Sequence, residues 1–105
     1  MDELLQQFER PVTDDRGERY TVFLYGRSRP ADTWKGWLVF ERQSDGRRFA
    51  TGTETTQPDA SAVLYWASGL EPTYFDGALE RAFRARADRN GRRASSRGTS
   101  NTRRG

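Results

Sequence analysis

Arginine is the side chain with the clearest chemical use in this chain, and it is concentrated at the C-terminal end. Residues 89–105 contain no acidic residue, whereas residues 1–88 contain 12 Lys and Arg against 15 Asp and Glu, a net charge of −3. The arginines of this segment are Arg89, Arg92, Arg93, Arg97, Arg103 and Arg104. Guanidinium groups bind phosphates, and each cation that neutralises a nucleic-acid phosphate releases about one counterion. This segment therefore predicts contact with RNA or DNA, and the alternative is a solubilising terminus with no ligand.

A second group of cations surrounds the first predicted loop and the hairpin after it. Its members are Arg27, Arg29, Lys35, Arg47 and Arg48, with Trp34 among them. An indole ring beside cations can stack on a base or hold a partner's side chain. The alternative is that Trp34 closes the edge of the core and that the arginines are solvated, with Asp32, Glu41 and Asp45 neutralising much of the patch.

Three aromatic residues form a third candidate surface. Tyr65 and Trp66 lie at the border of the apolar stripe of a predicted helix, and Tyr74 lies close behind them in the sequence. Trp and Tyr are favoured at the centres of protein interfaces. We expect these three to form a surface for a protein partner, and the alternative is that they pack on a neighbouring helix.

Catalytic chemistry has few candidates in this chain. Histidine and cysteine are both absent, which removes the commonest general base, the commonest metal ligand, thiolate sites and disulfides. Lys35 is the one lysine, and its spacing from Asp32 is not that of metal-dependent nucleases. We therefore expect no catalytic residue, no metal site and no cofactor, and a small carboxylate enzyme ranks last among the hypotheses.

These residues must be positioned by a small set of elements. Leu4, Leu5 and Phe8 have the spacing of a short helix that ends at Pro11. Alternating apolar residues then predict strands over residues 19–27, 34–42 and 47–55, with an Asp45-Gly46 turn before the last. Trp37 is expected in the core because of its place in the second strand.

Two helices follow the strands. Thr56 is the predicted N-cap of the first, whose stripe includes Val63, Leu64 and Ala67, and Gly69 ends it. The second begins at Glu71-Pro72-Thr73 and ends at Asn90-Gly91. The segment beyond holds no large apolar residue and is predicted to be disordered.

The sequence predicts an α+β fold, in which a three-stranded antiparallel meander is packed on one face by helices in the order α-β-β-β-α-α. Residues 1–88 form this domain and residues 89–105 a disordered, Arg-rich tail. The leading hypothesis is a non-enzymatic, cytoplasmic interaction module that binds a protein partner. The partner is either another protein or a second copy of this chain. The second is a nucleic-acid-binding protein that uses the tail and the Trp34 patch. No motif assigns the chain to a characterised family, and no apolar run is long enough to span a bilayer.

Overall fold

The structure is a computed structural model that describes residues 2–89 and, of residues 90–102, only their place in the last helix. It is a small α+β domain with a six-stranded antiparallel sheet and two helices, which confirms the predicted class. The strands are β1 (Glu3–Gln7), β2 (Val12–Thr13), β3 (Arg19–Arg29), β4 (Thr33–Arg42), β5 (Arg48–Ala50) and β6 (Thr55–Gln57), and the helices are α1 (Ala60–Ser68) and α2 (Pro72–Thr102).

The predicted N-terminal helix is wrong, because this segment is strand β1. It pairs with β3 antiparallel, so that Leu4 lies opposite Tyr25, and the register shifts between Leu4 and Gln6. Leu5, which lies at this shift, packs against the core. In so short a segment, apolar residues at spacings of 1 and 3 fit either a helix or a bulged strand. The pairing with β3 that decides for the strand involves residues far away in the sequence.

The predicted three-stranded meander is also wrong in its detail. The third predicted strand, 47–55, is broken into β5 and β6, and both of these pair with β4. Between them Thr51 makes two bonds to Leu38: its Oγ1 accepts from the Leu38 N–H at 3.1 Å, and its own N–H donates to the Leu38 carbonyl at 2.9 Å. A loop that includes Gly52 therefore replaces the middle of the expected strand.

The core lies between one face of the sheet and the helices. Its sheet side consists of Tyr20, Val22, Leu24, Leu38, Phe40 and Phe49. Its helix side consists of Val63, Ala67, Ala78, Leu79 and Ala82. Alternation along β3 and β4 places the first set on one face, and helical spacing places the second set against it. The result is two layers, as the sequence predicts.

Helix α1 begins three residues later than predicted. Asp59 is its N-cap and accepts a bond from the Ala62 N–H at 2.8 Å, whereas the predicted cap, Thr56, lies in β6. Gly69 ends the helix as expected. Helix α2 continues past the predicted stop at Asn90-Gly91. Most of the predicted tail lies outside the residues whose side chains are described, so its disorder stays a prediction.

The face of the sheet opposite the helices corrects the expectation for Trp37. This residue is half-buried and does not belong to the core cluster, because it follows the alternation of β4 onto the other face. Phe23 and Tyr25 of β3 share that face with it. The side of the sheet that the helices leave uncovered is therefore rich in aromatic rings.

Candidate functional site

The helices leave one side of the sheet uncovered, and we call this side the open face. It is formed by Phe23, Tyr25, Trp37, Val39 and Arg48. The rings of Tyr25 and Trp37 are directly opposite each other and stacked, with centroids 6.2 Å apart and planes 18° apart. Phe23 is opposite Val39 in the same ladder. Cross-strand pairing thus brings two aromatic positions of β3 and one of β4 together on this face.

Arg48 lies flat on the open face rather than extending into solvent. Its Cζ is 4.9 Å from the centre of the Phe23 ring, and its Nη1 donates to the Tyr25 hydroxyl at 3.1 Å. Its Nε donates to Glu41 Oε1 at 2.8 Å. The bonds to Tyr25 and Glu41 raise the pKa of Arg48 above its usual value.

Beside the open face is a shallow concavity of about 290 Å³, called here the cationic concavity. It is lined by Arg27, Arg29, Lys35, Trp37, Thr51, Gly52 and Thr53. The β3–β4 hairpin brings the cations together, because Arg27 lies directly opposite Lys35 and Arg29 follows two residues later on the same side. Trp37 belongs to both surfaces and joins them.

The three cations of the concavity differ in their partners. Arg27 holds Asp2, with Nε at 2.7 Å and Nη2 at 2.5 Å from the same carboxylate oxygen. Within residues 2–89, neither Arg29 nor Lys35 makes an ion pair. These two side chains are the ones most available to an anionic ligand.

The structure brings some of the predicted cationic residues together and separates others. Arg27, Arg29 and Lys35 meet in the concavity, and Arg48 is on the open face. Trp34 is partly buried against the core, so Trp37 takes the place that the sequence hypothesis gave to Trp34. These two tryptophans are three residues apart in one strand and must point to opposite faces.

The remaining predicted cations are not part of this site. Arg47 is exposed at the β4–β5 turn, at the other end of β4 from the concavity. Arg89 is exposed on α2. The side chains of the other tail arginines, Arg92, Arg93, Arg97, Arg103 and Arg104, lie outside the described residues.

The three aromatic residues proposed as a protein-binding surface do not share one environment. Tyr65 is 82% exposed. Trp66 and Tyr74 pack on the core and on each other, edge to face with centroids 5.8 Å apart. Tyr65 is therefore the member of this set that projects from α1.

Tyr74 also belongs to a polar cluster that sequence reasoning missed. Its hydroxyl donates to Glu54, whose side chain is only 7% exposed and also accepts from Arg81 at 2.7 Å and 3.1 Å. Burial opposes the charge on Glu54, but the bonds from Arg81 and Tyr74 outweigh it and lower the pKa of this carboxyl. Burial and the bond to Glu54 raise the pKa of Tyr74 to about 12. The cluster ties the β5–β6 loop to α2.

A larger, open groove of about 770 Å³ lies where β1 and β2 approach the start of α2. Phe8, Pro11, Val12, Leu70 and Phe75 supply its apolar lining.

Over the part of the chain that is described, no group of three or more acidic side chains is placed to hold a metal ion. In the same part, neither helix is both long and apolar enough to cross a membrane.

The chain matches no protein-family model, no curated protein and no solved structure.

Proposed function

We propose that this protein is a non-enzymatic binding module for single-stranded nucleic acid. The observation that carries the proposal is the stacked Tyr25–Trp37 pair on the open face, immediately beside a concavity lined by three cations. Bases would stack on the rings while the backbone passes the cations. This combination of stacking platform and positive groove is how proteins hold single strands with little sequence preference.

The preference for a single strand follows from which parts of a base are accessible. In a duplex the faces of the bases are stacked on each other, and a side chain on a flat sheet cannot reach them. In a single strand the faces are free, and stacking on an aromatic side chain contributes about 1–3 kcal/mol per base. Tyr25 and Trp37 are half-buried on the open face, and each keeps the ring face that its partner does not cover, whereas the guanidinium of Arg48 already covers the Phe23 ring.

The electrostatics predict an affinity that depends strongly on salt. Arg29 and Lys35 add positive charge at the site, whereas Glu41 offsets the charge of Arg48 and residues 1–88 as a whole carry −3. The arginines of residues 89–105 would supply further contacts to phosphates without reading sequence. The body would then orient the strand and the C-terminal segment would add affinity.

The test is fluorescence anisotropy of the full chain with a labelled single-stranded oligonucleotide and with its duplex, at two salt concentrations. We expect Trp37→Ala to weaken single-strand binding by about 5- to 160-fold, which corresponds to the loss of one stacked base. The matched control is Tyr65→Ala, which removes an exposed ring from α1 and should leave binding unchanged. Circular dichroism checks that both variants are folded. Equal binding by wild type and Trp37→Ala, or a preference for the duplex, would contradict the proposal.

A second candidate function is a protein-interaction module, and the 82% exposure of Tyr65 favours it. In that case the partner, either another protein or a second copy of the chain, would cover α1 rather than the sheet. Light scattering after size exclusion tests the self-association form. A concentration-dependent dimer that Tyr65→Ala abolishes would support it, and a monomer at all concentrations would rule out the second copy as partner.

The cytoplasmic location stays a prediction.

A further inference from the structure

We infer that the cationic concavity is a phosphate subsite, and that Asp2 occupies its Arg27 in the free protein as an internal competitor for that phosphate. The inference rests on the proposed function for the source of the phosphate, which is the backbone of a single strand. It goes beyond that function by assigning the phosphate contacts to named groups and by giving Asp2, which precedes strand β1, a part in controlling affinity.

The chemistry of the lining suits a phosphate. The guanidinium groups of Arg27 and Arg29 offer planar pairs of hydrogen-bond donors, and the ammonium group of Lys35 offers a compact point charge. Thr51, Gly52 and Thr53 form the remaining wall. A side chain added at Gly52 would meet no atom within 4 Å, so the backbone there is open to a ligand. Trp37 at the border allows a base to stack while its own phosphate enters the concavity.

The competing group is already in place. A carboxylate and a phosphate bind the same fork of an arginine, and Asp2 occupies the Nε and Nη2 atoms of Arg27. The Arg27 and Asp2 side chains are 44% and 45% exposed. Exposed ion pairs contribute little to stability, so an incoming phosphate can replace Asp2 at small cost. Binding to Arg27 is therefore an exchange of one anion for another, whereas Arg29 and Lys35 have no such occupant within residues 2–89.

The exchange predicts opposite effects from neighbouring substitutions, measured as the Kd of the full chain for a labelled oligothymidylate across a salt series. Asp2→Asn should tighten binding by about two- to fivefold, the range expected for an exposed ion pair. Arg29→Gln and Lys35→Gln should each weaken it by about three- to tenfold and lower the salt slope by about 0.7. Arg84→Gln, on the helix layer, is the matched control and should change nothing. A gain of affinity in Asp2→Asn is informative because a damaged fold would produce a loss.

A double variant isolates the pair. If Asp2 acts by occupying Arg27, then Asp2→Asn has no effect when Arg27 is already replaced by Gln. An equal gain in both backgrounds would show that Asp2 acts only through general charge, and would overturn its assigned role as competitor.

A second measurement separates this inference from the proposed function. Inorganic phosphate is added to the full chain and the amide NMR signals of Lys35, Gly52 and Thr53 are followed. Shifts at these positions, with no binding of the oligonucleotide, would support the subsite and overturn the nucleic-acid proposal. Oligonucleotide binding that depends on Trp37, with no phosphate shifts and no effect of Arg29→Gln or Lys35→Gln, would overturn the subsite and leave the proposed function standing.

Discussion

The aromatic residues of β3 and β4 are divided between two environments, according to the face on which they lie. Tyr20 and Phe40 are fully buried beneath the helices, while Tyr25 and Trp37 stack on the opposite face. Neighbouring residues of a strand alternate between faces, so a shift of one position exchanges a core residue for a surface one. The core and the proposed binding surface therefore use different side chains of the same two strands.

This division gives a prediction for two substitutions in β4. Phe40→Ala should lower the free energy of unfolding by about 3–5 kcal/mol, because it leaves a cavity in the core. Trp37→Ala should cost only about 1–2 kcal/mol, because its ring is half-buried on a face that the helices do not cover. Urea unfolding monitored by circular dichroism compares them. A larger loss from Trp37→Ala than from Phe40→Ala would mean that the two faces have been assigned the wrong way round.

At the scale of elements, α1 lies close to β4 because the strand residue that faces the helix is a glycine, Gly36. A Cβ atom built on Gly36 would lie 2.7 Å from Val63 Cγ1 and 3.1 Å from Thr55 Cγ2. Both neighbours are buried, so neither can move away freely. Gly36 therefore sets the distance between the helix layer and the sheet.

We expect Gly36→Ala to lower the free energy of unfolding by about 1–3 kcal/mol through overpacking. Thermal unfolding measures the loss. Gly52→Ala is the control, because a side chain there would enter open space and should have little effect. If Val63→Ala restores the stability of Gly36→Ala, the clash lies at this contact; if the two losses simply add, the explanation by overpacking is wrong.

The Glu54 cluster joins the β5–β6 loop to α2 and should make this connection depend on pH. The folded pKa of Glu54 is below its usual 4.5, so its contribution to stability is present above that value and is lost as the pH falls through the folded pKa. The folded pKa of Tyr74 is raised from 10.0 to about 12, so its contribution is present below 10 and is lost as the pH rises toward 12.

Urea unfolding at a series of pH values tests both signs. The stability difference between wild type and Glu54→Gln should shrink as the pH falls below 4.5. The difference between wild type and Tyr74→Phe should shrink between pH 10 and about 12. Differences that stay constant over these ranges would show that the cluster does not couple proton binding to folding.

For the whole molecule, the distribution of charge matters more than its total. The net charge of +3 hides a body of −3 and a C-terminal segment with six arginines. Under the proposed function, the repulsion between the acidic body and a nucleic acid would be overcome locally by the concavity and along the chain by that segment. Association with a nucleic acid should therefore combine an oriented contact and a diffuse one.

Deletion of residues 91–105 separates these two contributions. It removes five arginines, and each that contacts a single-strand phosphate contributes about 0.7 to the salt slope. We expect weaker binding with a smaller slope, an unchanged relative effect of Trp37→Ala, and an unchanged melting temperature. A large fall in melting temperature would show that the segment packs on the domain, and complete loss of the Trp37 effect would place all binding in the segment.

The sequence by itself determined the features that depend on local order. The long β3–β4 hairpin, α1 with its stop at Gly69, and the start of α2 at Pro72 follow from alternation, helical spacing and capping residues within a few positions of each other. The grouping of Arg27, Arg29 and Lys35 is also local, because one hairpin carries all three.

Only the tertiary structure decided which face of the sheet the helices cover. Both faces of β3 and β4 carry large apolar groups, so alternation shows that Trp34 and Trp37 point to opposite sides but not which side is the core. The pairing of β1 with β3, the split of the third strand, and the Glu54–Arg81 contact join residues far apart in the sequence. Such choices depend on the total area buried by distant segments, which no short window of sequence contains.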